Sequence, residues 1–104
     1  MDDIDYIANN ISELAVLMAL AEEASELSKA AMKVARAKGL IDNPTPISVA
    51  QAESDLIEEY NDLLICVGVL NKMPSLTICV DLDLRKRKCH RWAERIKRQK
   101  DTKE

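Results

Sequence analysis

Six carboxylates in two short stretches are spaced for shared chemistry. Glu22-Glu23-Ala24-Ser25-Glu26 and Glu58-Glu59-Tyr60-Asn61-Asp62 both read acid-acid-x-x-acid. Residues three apart share a helix face, so Glu23 pairs with Glu26 and Glu59 with Asp62. One such pair is commonly a solvated helix charge. Two pairs flanked by apolar sequence are different. Glu26 lies between Ala24 and Leu27 in a face that must pack, and Asp62 leads into Leu63-Leu64-Ile65-Cys66-Val67. Even a neutral polar group left unsatisfied at the edge of a core costs about 2–7 kcal/mol. A hard divalent cation, Mg²⁺ or Mn²⁺, held by Glu23, Glu26, Glu59 and Asp62 would offset that cost. Salt bridges to Lys29, Lys33 or the basic tail are the alternative. Mg²⁺ held by few carboxylates keeps positions open for phosphates. The chain has no Gly-rich phosphate loop, so phosphates would be met by metal and side chains.

The elements that must position these groups are helices. Residues 4–10 suggest a short helix ending at Asn9-Asn10, and Ser12 is placed to cap the next. From Glu13 to Lys38 apolar residues such as Leu14, Leu17, Leu27 and Val34 recur at three- and four-residue steps, stopping at Gly39. Leu40–Ile47 is the one real loop, with Asp42-Asn43-Pro44-Thr45-Pro46 in its middle. Ser48-Val49-Ala50-Gln51 matches a capping box and opens a second long helix to about Lys72. Met73-Pro74-Ser75 breaks it. A third long helix starts between Ser75 and Asp81 and runs to about Lys100, and the last residues fray. The expected fold is all-α: a single domain over residues 1–104, with three long helices plus a short N-terminal one. One chain of 104 residues offers too few partners for the apolar second half of helix 49–72, so oligomerisation into a four-helix-type core is expected.

Composition narrows the class further. Apolar residues make up 47% and aromatics 3% with no Phe, so Leu, Ile, Val, Ala and Met must build the core. Two Gly and three Pro are too few for the turns of a β-sandwich. No apolar run approaches the roughly 20 residues of a membrane span. The acidic start does not read as a signal peptide, and three cysteines without metal spacing suit a reducing cytoplasm. Residues 1–62 hold 13 acids and 4 bases, and residues 63–104 hold 5 acids and 11 bases. An acidic front beside a basic back suits a metal–phosphate pair.

The two acidic motifs together, the second running into an apolar stretch, resemble the MazG-like all-α nucleoside triphosphate pyrophosphohydrolases, with their dimeric dUTPase and phosphoribosyl-ATP pyrophosphohydrolase relatives. The matching segments are Glu22-Glu23-Ala24-Ser25-Glu26-Leu27 and Glu59-Tyr60-Asn61-Asp62-Leu63-Leu64, within a likeness over about residues 12–100. The resemblance implies Mg²⁺ on Glu23, Glu26, Glu59 and Asp62. It also implies hydrolysis of a nucleoside triphosphate to monophosphate and pyrophosphate, by a homodimer or homotetramer. Between Glu26 and Glu59 lie 32 residues, more than in the most compact members, and the extra length falls in the Gly39–Ile47 loop. Members often carry basic residues on the helix after the second motif, which points to Lys88, Arg91 and Arg95 as phosphate contacts.

Other residues carry a functional and a plainer reading side by side. Glu22 or Glu26 could orient or deprotonate the attacking water; Glu22 could equally be a solvated charge. Trp92 could stack on a base or anchor the third long helix. Asn10 could read a base edge or cap a helix, and the same choice holds for Asn9; Asn61 and Asn71 are further amide readers. His90 beside Cys89 reads as a surface histidine. The run Arg85–Arg91 would suit a nucleic-acid backbone. The expected partner is instead a nucleoside triphosphate, with no membrane and no nucleic acid; a non-catalytic helical or nucleic-acid-binding module is the alternative.

Overall fold

The computed structural model describes residues 2–42 and 46–102. It is all-α: α1 (Asp3–Asn10), α2 (Glu13–Ala37), α3 (Val49–Leu70) and α4 (Leu82–Thr102). The expected middle of the long loop, Asn43 to Thr45, and the expected fraying at 103–104 lie outside the described residues.

Local chemistry sets the helix ends. The Asp2 carboxylate accepts from the Asp5 N–H at 2.8 Å and opens α1. Ser12 Oγ accepts from Ala15 N–H at 3.1 Å, and Ser48 Oγ from Gln51 N–H at 3.0 Å. Only half of the expected capping box forms: the Gln51 amide donates forward to Asp55 at 2.8 Å, and its oxygen does not turn back to accept from the Ser48 N–H. Helix α2 ends in a Schellman arrangement: Gly39 N–H reaches Arg36 O, and Leu40 N–H reaches Ala35 O. That closure requires the left-handed backbone found at Gly39, φ +70°. Replacing Ser48 by Ala leaves one orphan N–H at the start of α3, and about 1 kcal/mol of stability is expected to go with it, read as a fall in denaturation midpoint.

Helices α2 and α3 form an antiparallel hairpin. Val16 near the start of α2 clusters with Val69 and Leu70 at the end of α3. At the other end Lys38 meets Glu53 at 3.6 Å. Between them Ala30 and Ala52 are buried, and their small side chains let the helices approach closely. The chain bends by 119° between α1 and α2. This lays Ile4, Ile7 and Ala8 on the Val16–Val69–Leu70 cluster, and Asp5 meets Lys72 at 3.3 Å.

Helix α4 starts one residue beyond the expected window, after Asp81, whose carboxylate accepts from Leu84 N–H at 3.0 Å. Among the described residues α4 touches none of the other helices. The chain is accordingly open. Its radius of gyration is 18.3 Å, against about 13 Å for a compact chain of this length. Its accessible surface is 8246 Å², against about 5,900 Å² for a folded monomer of this mass. Among the described residues no single helix is long and apolar enough to cross a membrane.

Candidate functional site

The hairpin register brings one carboxylate of α2 against two of α3. Oxygens of Glu23, Glu59 and Asp62 all lie within 4.8 Å of one another, on half-buried side chains. Glu59 and Asp62 share a face because they are three apart, and Glu23 meets them because α2 runs antiparallel alongside. Partial loss of water pushes the Glu59 carboxyl above the ordinary range. The charges of Asp62, Glu23, Glu26 and Glu58 push it the same way.

Oxygens bound to octahedral Mg²⁺ at 2.0–2.1 Å lie about 2.9–4.2 Å apart, so small side-chain rotations would close this trio on one ion. The donors are all hard oxygens, which suits Mg²⁺ or Mn²⁺ better than softer metals. Glu26, expected as a fourth ligand, is exposed, lies outside the trio and is held by Lys29 at 3.4 Å. Lys29 thus realises, for one carboxylate of the four, the salt-bridge alternative. Glu22 is exposed on the outer side of α2.

Beside the trio runs an open groove of about 340 Å³ whose α2 wall carries Lys29, Lys33 and Arg36 and whose α3 wall carries Asp55, Glu58 and Glu59. This places cations within the hairpin itself. Their spacing of four and then three residues along α2, on the side of Glu26, is the signal by which they could be found from sequence. The phosphate contacts expected on the last helix stand elsewhere. Lys88, Arg91 and Arg95 line a groove of about 430 Å³ with Arg98, all on α4. In this chain they do not reach the trio, because α4 does not pack on the hairpin.

The expected base readers are similarly placed. The Asn10 amide donates to Tyr6 O at 2.7 Å, one turn back in α1. Asn61 donates to Ile57 O at 2.8 Å. Asn71 grips Ile78, donating to its carbonyl at 2.8 Å and accepting from its N–H. Trp92 is 64% exposed and anchors nothing in the hairpin; His90 is exposed. Cys66, one turn after Asp62, is a half-buried thiol beside the trio. Burial, then the charges of Glu23 and Asp62, raise its pKa, which keeps it a protonated thiol and a poor nucleophile.

Comparison with known protein families, with characterised proteins and with solved structures gives no match.

Proposed function

We propose that this chain is a Mg²⁺-dependent nucleoside triphosphate pyrophosphohydrolase of the MazG-like kind. The observation that carries the reading is the convergence of Glu23, Glu59 and Asp62 from two helices onto one point. When bound there, Mg²⁺ supplies Lewis-acid polarisation and a template for displacement at phosphorus. The Lys29–Lys33–Arg36 wall offsets the remaining phosphate charge. Glu26, once Lys29 turns to a phosphate, is free to join the ligand set or to accept the proton of the attacking water; Glu22 is the other candidate base. Water adds to the α-phosphorus and the bond to the bridging α–β oxygen breaks. The products are the nucleoside monophosphate and pyrophosphate, and the water's proton leaves through the base. The working form is a homodimer or homotetramer, and the solvent-facing Ile57, Tyr60 and Leu64 of α3 are the stripe such an assembly would cover.

The test is a panel of canonical and damaged (d)NTPs with Mg²⁺ and then with chelator. Pyrophosphate release that vanishes with chelator is expected. A nucleoside diphosphate with orthophosphate would overturn the assignment. No turnover of any triphosphate, together with salt-sensitive DNA or RNA binding, would favour a nucleic-acid module instead, a reading supported by the isolation of cationic α4.

The raised Glu59 carboxyl gives a signed pH prediction. Glu59 holds its proton more tightly folded than unfolded. Its stabilising share is therefore present below the ordinary carboxylate range and is lost as pH rises through its raised value. At neutral pH the metal-free hairpin carries crowded charge, and a cation relieves it. Saturating Mg²⁺ is expected to raise the melting temperature at pH 7 and to add nothing at a pH below about 4, where carboxylates bind protons instead. Calorimetry at the two pH values checks this.

A further inference from the structure

Helix α4 carries nine Lys and Arg against three acids, and it stands clear of the hairpin. Helical period sorts these charges. Lys88, Arg91, Arg95 and Arg98 recur at steps of three, four and three and line one groove, within about 15 Å of helix axis. Asp83, Glu94 and Asp101 fall together on another side of the helix. Among the described residues none of the four groove cations pairs with an acid, and the one ion pair within α4 joins Lys97 to Glu94 at 3.4 Å. Lys29, Lys38 and Lys72, by contrast, each hold a carboxylate. Like charges at three- and four-residue steps repel, which weakens a helix unless an anion lies across them. Trp92 borders this face, four residues after Lys88 and three before Arg95, and is 64% exposed.

We propose that this face of α4 binds single-stranded nucleic acid, with phosphates along Lys88, Arg91, Arg95 and Arg98 and one base stacked on Trp92. A row of unpaired cations calls for a polyanion that repeats its charge, and a phosphate backbone does so. Three of the four are Arg, whose planar fork meets phosphate oxygens two at a time. The indole selects a single strand over a duplex. Duplex bases are stacked on one another, whereas an unpaired base offers its face to an exposed aromatic beside the cations that hold its phosphate. An anionic bilayer fits less well. The stripe of Leu82, Cys89, Trp92, Ala93 and Ile96 that would enter it is interrupted by Arg85 and Lys100, which fall at the same helical angles. An acidic protein surface meets the cations and leaves the exposed ring beside them unexplained. Nucleic acid thus becomes a partner in its own right, contrary to the expectation of none. It is held away from the carboxylate trio, and its binding does not depend on the hydrolytic reading.

The probe is an oligothymidylate of about 20 nucleotides, longer than the usual site on a single strand. It is titrated into the full-length protein in chelator, which silences the metal site. Binding that quenches the emission of Trp92, the one tryptophan of the chain, is expected. Log affinity against log salt should fall with a slope of about −3, from four phosphate contacts on a single strand. Arg91→Gln combined with Arg95→Gln is expected to cut that slope by about half, with helical content held by circular dichroism. Trp92→Ala is expected to weaken binding at least about fivefold at unchanged slope. Lys97→Gln, on the side of α4 away from the groove, is expected to leave the slope in place. Absence of binding would overturn the proposal, as would a slope that ignores the double substitution or falls equally in Lys97→Gln. Wild-type affinity in Trp92→Ala would overturn it too, and so would duplex DNA or polyglutamate bound as tightly as the strand. Anionic vesicles that shift Trp92 emission to the blue, with the strand leaving it unmoved, would assign α4 to a bilayer surface instead.

Discussion

Glu59→Gln and Asp62→Asn are each expected to lower Mg²⁺-dependent hydrolysis by at least about 100-fold while helical content stays at the wild-type level. Substitutions in the outer shell of metal sites already cost 10–100-fold, and these two remove ligand charge itself. Both replacements keep side-chain shape, and neither residue belongs to the Val16–Val69–Leu70 cluster, so the hairpin loses no packing. The charge removed is one that its neighbours oppose: Glu59 is pressed by Asp62, Glu23, Glu26 and Glu58. The metal-free Glu59→Gln protein is therefore expected to melt no lower than wild type, and to gain nothing from Mg²⁺. A purely structural acidic cluster would lose stability without losing any metal response. Turnover at the wild-type rate in Asp62→Asn would remove the trio from the reaction.

Leu70→Ala is expected to cost about 3 kcal/mol, within the usual 2–5 kcal/mol for a buried Leu, and to show as a lower denaturant midpoint at unchanged slope. Leu70 is fully buried, and among the described residues of its cluster Val16 and Val69 alone are buried with it. It lies where α1, α2 and the end of α3 meet, so the cavity left behind touches all three. A domain of this size holds about 5–15 kcal/mol in total, so one side chain carries a large share. Leu64→Ala, six residues earlier on the exposed side of α3, is the control and should change the single chain's stability little. Any larger loss in Leu64→Ala that grows with protein concentration would report a covered α3 stripe in the assembled form.

How far the sequence could be read follows from the range of the forces involved. Ser12, Ser48 and Gly39 act on backbone groups a few residues away, so the bounds of α2 and the start of α3 are legible as local chemistry. The start of α4 is less so. It depends on Asp81 as cap and on Asn71 gripping a residue seven positions ahead, and a helical period holds no record of that grip. The acidic trio was legible because each α3 member is fixed by three-residue spacing and the hairpin supplies the third. Glu26 was not, since its position depends on which partner its flexible side chain takes, and Lys29 is nearer. The detachment of α4 was illegible in principle. Amphipathic spacing says that a face is to be covered; it does not say by which chain. The same holds for Trp92, whose sequence context fits an anchor while its own chain gives it nothing to anchor to.

The order of the contacts along the chain has a consequence for biosynthesis. Every helix–helix contact among the described residues is made between α1 and α3 or between α2 and α3, so all of them lie within residues 3–70. Synthesis runs from the N-terminus, and domains fold as their last required residue emerges. The hairpin can close as soon as α3 and the Met73–Ile78 segment behind it are out, with α4 still being made on the ribosome. Most of its helix–helix contacts join α2 to the helix that follows it, α3, so none of them waits for α4. The sticky, highly cationic last helix meets the nascent chain only after the apolar interior of the hairpin has been sealed. Vectorial synthesis thereby separates in time two apolar surfaces, inner and outer, that a chain diluted from denaturant would present together.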